Sequence, residues 1–196
     1  MPYPSDHAHL AVDEYLLNED GADCRHEYIN GQVYAMTGAS DRHGLMTLNI
    51  ATSLRPHLRG TPCQLFANDM KVHLRIQEQD IFYYPDVLLS CDPTDRATYY
   101  RCAPCLLIEV LSDSTERIDR REKLWAYQTL PSLQEYVLIA QNERLVDIYR
   151  RANHWKAEVV TEGSVVLTDL ALDLSLDMIY EDVIDTVLPA PAATLG

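Results

Sequence analysis

The stretch "CLLIEVLSDSTERIDRREKLWAYQTL", residues 105–130, decides the fold class, because it joins an apolar run directly to a helical pattern. Residues 105–114 are apolar at nearly every position, which predicts a strand buried on both faces near the centre of a sheet. Residues 114–130 predict a helix. Glu109 lies inside the apolar run. A carboxylate there is costly to bury unless it is paired or binds a metal ion.

A second acid interrupts the apolar run that precedes this one. The stretch "IFYYPDVLLS", residues 81–90, predicts another buried strand, and Asp86 follows a proline within it. Neighbouring strands can bring Asp86 and Glu109 close enough to share a cation. Carboxylate oxygens are the hard ligands that Mg²⁺ requires. The two acids therefore predict a divalent-cation site.

Both acids also have a purely structural explanation. Asp86 could accept backbone N–H bonds at a bulge, and Glu109 could pair with Lys71 or Arg101. Two carboxylates in consecutive apolar strands nevertheless favour a functional site, because carboxylates with perturbed pKa values cluster at such sites.

Further polar candidates lie on the preceding elements. The stretch "QLFANDMKVHLRI", residues 64–76, alternates between apolar and polar residues and predicts a half-buried strand. Asp69 and Lys71 share its polar face, near the same edge of the sheet. Glu27, in an earlier hairpin, is a fourth candidate acid.

The remaining elements predict helices packed on a mixed sheet, an α/β fold. They form one domain over residues 1–186, followed by a disordered tail over 187–196. The other predicted elements are helices at 7–19 and 40–60, a hairpin at 25–36 around Asn30–Gly31, strands at 133–140 and 144–151, and a shorter hairpin formed by "HWKAEVV" and "SVVLTDL".

The net charge limits the possible partners of the protein, and the N-terminus indicates its compartment. The net charge of −14 means that any nucleic-acid role must rely on a local basic patch or on an attached partner. No apolar run approaches about 18–20 residues, so no membrane span is predicted. The first residues lack the basic and apolar regions of a secretory signal, so we expect a cytoplasmic protein.

The five cysteines predict reduced thiols, because their number is odd and no signal peptide precedes them. Cys102 and Cys105 have the C-x-x-C spacing of half a zinc site, but no second pair follows. Two small, partly buried thiols leading into a strand are the simpler prediction.

Four stretches together resemble a known family. They are "RHEYINGQVYAMTGASDRHG" (25–44), "NDMKVHL" (68–74), "YYPDVLLSCDP" (83–93) and "LLIEVLSDSTERIDRREKLWAYQTLPSLQEYVLI" (106–139). In this order, over roughly residues 10–150, they resemble the Uma-two-type restriction endonucleases of the PD-(D/E)XK nuclease superfamily. The resemblance implies a restriction-endonuclease-like mixed central sheet flanked by helices, with an N-terminal helix and a β-hairpin.

The resemblance also implies an activity and its residues. The expected function is a Mg²⁺-dependent endonuclease acting on DNA, with Mn²⁺ as a substitute and a homodimer as the assembly. Asp86 matches the aspartate of the superfamily's "PD" motif and Glu109 its second acid, both as Mg²⁺ ligands. Glu27 would be an auxiliary acid. His43 matches a further family position, although a lone histidine is also commonly structural.

One departure from the superfamily concerns a lysine. The superfamily expects a lysine two residues after the second acid, and this chain has Leu111 there. Such a lysine orients the attacking water and offsets developing negative charge. Lys71 on the preceding strand and Lys123 in the following helix are the two candidate replacements.

The helix offers a polar stripe that includes the second of these lysines. Asp119, Lys123 and Tyr127 recur at i, i+4 and i+8, so they lie on one face. A stripe of this kind is equally typical of a solvated salt-bridge face.

Two other functions compete with the nuclease. Leu111 and the net charge of −14 favour a catalytically weak or inactive module that keeps the fold and binds nucleic acid or a protein. A hydrolase of small phosphoesters would share the site chemistry, but the chain lacks a Gly-rich phosphate loop.

Overall fold

Two mixed sheets and one small hairpin carry the fold in the computed structural model, which describes residues 9–112 and 115–183. The strands are β1 His26–Ile29, β2 Gln32–Ala35, β3 Gln64–Ala67, β4 Lys71–Ile76, β5 Gln79–Tyr83, β6 Val87–Ser90, β7 Tyr100–Arg101, β8 Pro104–Leu111, β9 Glu135–Ala140, β10 Val146–Arg150, β11 Ala157–Val160, β12 Ser164–Leu167 and β13 Leu172–Ser175.

The helices pack around these sheets. They are α1 Val12–Glu19, α2 Asp41–Leu54, α3 Glu116–Ile118, α4 Leu124–Tyr127 and α5 Leu176–Ile179. A π-helical segment, Asp119–Lys123, joins α3 to α4, and a 3₁₀ turn, Arg55–Leu58, extends α2. None of the helices in the described ranges has the length and apolar character needed to cross a bilayer.

The sheet topology confirms the predicted α/β class. The larger sheet has the order β11-β10-β9-β8-β6-β3, and β8 and β9 run parallel in an otherwise antiparallel arrangement. The second sheet has the order β2-β1-β5-β4-β7, with β4 and β7 parallel. The difference from the prediction is that the central sheet is divided in two.

This division explains why two predicted strands are wrong as single elements. Residues 64–76 form β3 in the larger sheet and β4 in the second, and the chain turns at Asn68, whose φ is +65°. Residues 81–90 likewise form β5 and β6, because Pro85 has no N–H for a ladder. Asp86 therefore lies in the break before β6, and its carbonyl accepts a hydrogen bond from Asn68 N at 2.9 Å.

The apolar core covers both faces of β8, as its sequence predicts. Leu106, Ile108 and Val110 pack into a cluster with α2. Leu107 and Leu111 point the other way, into a cluster with α4 and Tyr136 of β9. Since side chains alternate along a strand, Glu109 lies between Leu107 and Leu111 on the α4 side.

One of the two predicted hairpins is confirmed and the other is wrong. The hairpin of β1 and β2 turns at Asn30 and Gly31, both with positive φ. Ser40 caps α2 by accepting a hydrogen bond from His43 N. The predicted hairpin of β11 with β12 does not form, because β11 pairs with β10 and β12 pairs with β13. The left-handed turn at His154 and Trp155 returns the chain to β10.

The expectation of five reduced cysteines is also wrong. Cys63 and Cys91 form a disulfide, while Cys24, Cys102 and Cys105 are free. The register of β3 against β6 places the two bonded cysteines opposite each other, just beyond the Gln64–Ser90 pair. The long sequence separation hides this contact until the strands are paired.

A thiol count tests this disulfide. We expect three thiols to react with a chromogenic thiol reagent in the unfolded, unreduced protein, and five after reduction. Cys91→Ser frees Cys63, so this variant should show four thiols before and after reduction. Five reactive thiols in the unreduced wild type would contradict the bond.

Some predictions fall outside the described residues. The tail over 187–196, the last residues of the predicted single domain and the start of the predicted helix at 7–19 are among them. Within the described range the first helix begins later, at Val12.

Candidate active site

A cavity of about 710 Å³ opens where the two strand breaks, the first turn of α2 and the helix after β8 meet. Its lining includes His43, Asn68, Tyr84, Asp86, Glu109, Val110, Leu111, Ser112, Asp119, Lys123 and Gln141.

Asp86 is held by one side of its carboxylate. Its Oδ2 accepts a hydrogen bond from Val110 N at 2.7 Å and lies 3.0 Å from His43 Nε2. The bond to Val110 matches the backbone role that the sequence allowed as an alternative. Both partners bind Oδ2, so Oδ1 is the oxygen left for a ligand in the cavity.

Glu109 is almost completely buried beside it. Oε1 accepts hydrogen bonds from Lys123 Nζ at 3.2 Å and Tyr127 OH at 3.1 Å, whereas Oε2 accepts only a long one, 3.4 Å, from Asp86 N. Burial raises the pKa of Glu109 well above its usual value, and the neighbouring carboxylates raise it further against the opposing effect of Lys123. Its partner is therefore Lys123, not Lys71 or Arg101.

Lys123 is an ammonium enclosed by carboxylates. Its Nζ lies 3.1 Å from Glu27 Oε1 and 3.1 Å from Asp119 Oδ1, besides Glu109. The approach to Asp119 has an ion-pair distance without hydrogen-bond geometry. Burial alone would lower the pKa of Lys123, but these three carboxylates raise it well above its usual value.

The π-helical segment buries the predicted polar stripe. Asp119 and Lys123 are its first and last residues, and Tyr127 ends α4. All three are buried, so the solvated alternative is wrong. Single π turns inside α-helices recur at functional sites, because they turn extra side chains towards one face.

The charges of this cluster suit a divalent cation. Four carboxylates, those of Glu27, Asp86, Glu109 and Asp119, surround one lysine and one histidine. Asp86 and Glu109 both line the cavity, and among the described residues Glu109 Oε2 accepts only the long hydrogen bond from Asp86 N. One or two carboxylates, completed by water and phosphate oxygens, are the usual protein share of a Mg²⁺ site. No group of three His, Cys, Asp or Glu side chains in the described ranges is arranged to hold a metal.

Two predicted site residues lie elsewhere. Lys71 Nζ donates to Tyr84 OH at 3.2 Å and lines a separate cavity of about 350 Å³. Asp69 is exposed and forms an ion pair with Arg25. The structure thus brings Lys123, and not Lys71, to the carboxylates.

Sequence reasoning missed several contributors. The Val110 amide left no signal, because a backbone group has none. Gln141, whose Nε2 donates to the Leu111 carbonyl, lines the cavity because β8 and β9 are parallel and end at the same edge.

The contact between His43 and Asp86 predicts a titration. Burial lowers the pKa of His43, but the hydrogen bond and charge of Asp86, with Asp119, outweigh it and raise the pKa above 6.5. This protonation therefore stabilises the fold fully below about pH 6.5, and the stabilisation is lost as pH rises through the folded pKa. NMR titration of metal-free protein should show this raised pKa, and Asp86→Asn should lower it. An unchanged pKa in the variant would contradict the pairing.

Comparison with known proteins places this site in a family. The Uma2 family model, described as "Putative restriction endonuclease", matches residues 12–178. The chain belongs to the Uma2 family. This membership confirms the resemblance carried by the four sequence stretches.

Two Synechocystis proteins are similar to this chain over most of its length. The uncharacterized protein slr1290 of Synechocystis sp. is 33% identical over 183 residues, covering 91% of this chain and 93% of the relative. A second Synechocystis protein, sll1609, is 34% identical over 145 residues, covering 72% of this chain and 81% of its own.

A solved structure shares the Uma2 fold. It is the crystal structure of "a putative nuclease belonging to DUF820" from Anabaena variabilis, with a TM-score of 0.69 and 17% identity. The match covers 88% of this chain and 98% of the other. Together with the family model, it supports a nuclease-like fold for this Uma2 chain.

Proposed function

We propose that this protein is a Mg²⁺-dependent endonuclease that hydrolyses phosphodiester bonds in DNA, with Mn²⁺ able to replace Mg²⁺. The observation that carries the proposal is the pair Asp86 and Glu109, which face one cavity from two neighbouring strands with a lysine behind them. The family description supports the same class of reaction.

Asp86 and Glu109 would hold the cation. When bound, Mg²⁺ would supply a Lewis acid for a phosphoryl oxygen and lower the pKa of a bound water. His43 and the Val110 amide fix one oxygen of Asp86, which leaves the other oxygen available to bind the cation. Because the pKa of Glu109 is raised, cation binding would release a proton and tighten with rising pH.

Lys123 would supply the positive charge of the lysine that the superfamily has at the position of Leu111. Its ammonium reaches Glu109 from the helix and fixes that carboxylate's orientation. It also offsets part of the negative charge that accumulates during attack on phosphorus. Tyr127 supports the same Glu109 oxygen, and Glu27 and Asp119 keep Lys123 protonated.

Plasmid cleavage tests the proposal. We expect supercoiled DNA to be nicked with Mg²⁺ or Mn²⁺ and to stay intact with a chelator. Asp86→Ala and Glu109→Ala, purified identically, should be inactive. Equal nicking by the wild type and both variants would indicate a contaminating nuclease and would contradict the proposal.

The second candidate is a non-catalytic module with the nuclease fold. The enclosure of Lys123 by three carboxylates favours it, since little of that ammonium remains for a substrate. Titration calorimetry with Mn²⁺ separates the two functions. Cation binding that Asp86→Ala abolishes supports the nuclease, and no heat at millimolar Mn²⁺ supports the module.

A homodimer completes the proposal, by analogy with the superfamily. Light scattering of the purified protein checks the assembly. A mass equal to one 22.3 kDa chain at micromolar concentration would contradict the dimer.

A further inference from the structure

An arginine-lined groove of about 570 Å³ runs beside β3, at a different place from the candidate active site. Arg55 and Arg59 reach it from the end of α2, and Arg96 reaches it from the loop after β6. No Asp or Glu is among the residues that line it. In a chain whose net charge is −14, a groove lined by three cations is a marked local reversal of sign.

The arginines of this groove are available to a ligand. Arg55 and Arg59 are exposed, and neither forms an ion pair with any residue of the described ranges. Arg96 donates from Nε to the Pro93 carbonyl, which leaves its terminal nitrogens uncommitted.

A fourth arginine lies behind the groove. Arg101 is only 6% exposed, donates to Gln64 Oε1 at 3.0 Å and stacks 4.7 Å above the Phe66 ring. Both of these neighbours line the groove. Its Nε is buried without a hydrogen-bond partner, and no carboxylate of the described residues lies within ion-pair distance. Its terminal nitrogens donate to the Ala97 and Tyr100 carbonyls and to Gln64, all of them neutral acceptors, so its charge is left without a counterion. A buried charge of this kind is costly, and a bound anion beside it would offset that cost.

A simpler explanation covers only part of this set. Arginines at the C-terminal end of a helix interact favourably with its dipole, which accounts for Arg55 and Arg59 at the end of α2. Arg96 belongs to another segment and lines the same groove, and Arg101 lies behind the groove, bonded to its lining residue Gln64. Their convergence indicates binding of an anion rather than capping.

Strand β3 connects the groove to the active-site cavity. It begins at Gln64, which lines the groove, and leads to Asn68, which lines the cavity and bonds Asp86. Four residues of strand span about 13 Å. The phosphates of one strand of B-DNA are spaced about 3.4 Å apart along the axis, so this length corresponds to about four nucleotides. The outer edge of β3 has no strand partner in the described part, so its N–H groups can also contact phosphates.

We infer that the arginine-lined groove binds the phosphodiester backbone of duplex DNA, about four nucleotides from the bond placed at Asp86 and Glu109. The inference deepens the proposed function and rests on it. It also explains how so acidic a protein can bind a polyanion, because the contact is confined to one groove.

Salt-dependent binding tests the inference. A labelled duplex is titrated with metal-free protein between about 50 and 200 mM salt, and the logarithm of the affinity is plotted against that of the salt concentration. Each lost phosphate contact reduces the slope by about 0.9. We therefore expect Arg55→Gln combined with Arg59→Gln to bind more weakly and to reduce the slope by about 1.8.

A matched double variant controls for charge. Arg75→Gln with Lys156→Gln also removes two positive charges, but from exposed positions that do not line the groove. We expect this control to bind nearly as the wild type does. Equal weakening by both double variants, or no weakening by the groove variant, would overturn the inference. Thermal melts of the wild type and both double variants exclude unfolding as the cause.

Cleavage separates this inference from the proposed function. If the wild type binds duplex DNA through the groove but does not cut it with Mn²⁺, the result supports DNA binding in the groove and contradicts the proposed nuclease activity. If the groove variant binds and cuts as the wild type does, the result contradicts DNA binding in the groove and supports the proposed nuclease activity. Tighter binding of duplex RNA of the same sequence would overturn DNA as the ligand.

Discussion

Lys123→Met is expected to lower the free energy of unfolding by about 3–5 kcal/mol at neutral pH, because it leaves buried carboxylates without their cation. Three of them, on Glu27, Glu109 and Asp119, lie within 3.2 Å of the lost ammonium. Methionine fills similar space, so loss of packing contributes little. Urea unfolding measures the change.

The pH dependence of this loss identifies its cause. Without Lys123 the folded pKa of Glu109 rises further, because the cation that lowers it is gone. The destabilising effect of this carboxylate is then small below about pH 4.5 and grows as pH rises. Lys156→Met, at an exposed site, is the control and should change stability by less than about 0.5 kcal/mol. A pH-independent loss would show that packing, not charge, holds Lys123.

Glu109→Gln is expected to reduce the rate of DNA cleavage at least about a hundredfold, because it removes one of two anionic cation ligands. The same change should leave the metal-free fold as stable as the wild type, or more stable. Burial raises the pKa of Glu109, so its carboxylate costs the fold stability increasingly as pH rises above about 4.5. Glutamine removes that cost and can still bond Lys123 or Tyr127.

Cleavage assays and thermal melts on the same samples measure the cleavage rate and the stability of the fold. Glu162→Gln, at an exposed position, should alter neither quantity. Adding Mn²⁺ should stabilise the wild type and leave Glu109→Gln unchanged, since ligands that bind only the folded state raise its stability. Strong destabilisation by Glu109→Gln with full cleavage would indicate a purely structural acid.

The two central acids could be predicted because their signal is local. A carboxylate inside an apolar run stands out in the sequence, and both Asp86 and Glu109 do face one cavity. The choice between Lys71 and Lys123 could not be made in the same way. It depends on the turn at Asn68, which sends Lys71 into the other sheet.

The other misses share this non-local cause. The Cys63–Cys91 bond follows from strand register, which a single sequence does not specify for distant strands. Burial of Asp119 and Tyr127 depends on what packs over their helix, and i+4 spacing is the same for a solvated face and a buried one. The arginine-lined groove combines residues between 55 and 66 with the distant Arg96 and has no sequence signature.

Lys123 has a consequence for how the molecule opens. Glu27 belongs to β1 in the five-stranded sheet and Glu109 to β8 in the six-stranded sheet, so one ammonium fastens both sheets to the helix. The two sheets should then behave as one cooperative unit, with amide protons of β1 and β8 exchanging with similar protection. Solvent that reaches the cluster would weaken the ion pairs of Lys123. The same ammonium therefore takes part in the chemistry of the cavity and in the contact between the two sheets.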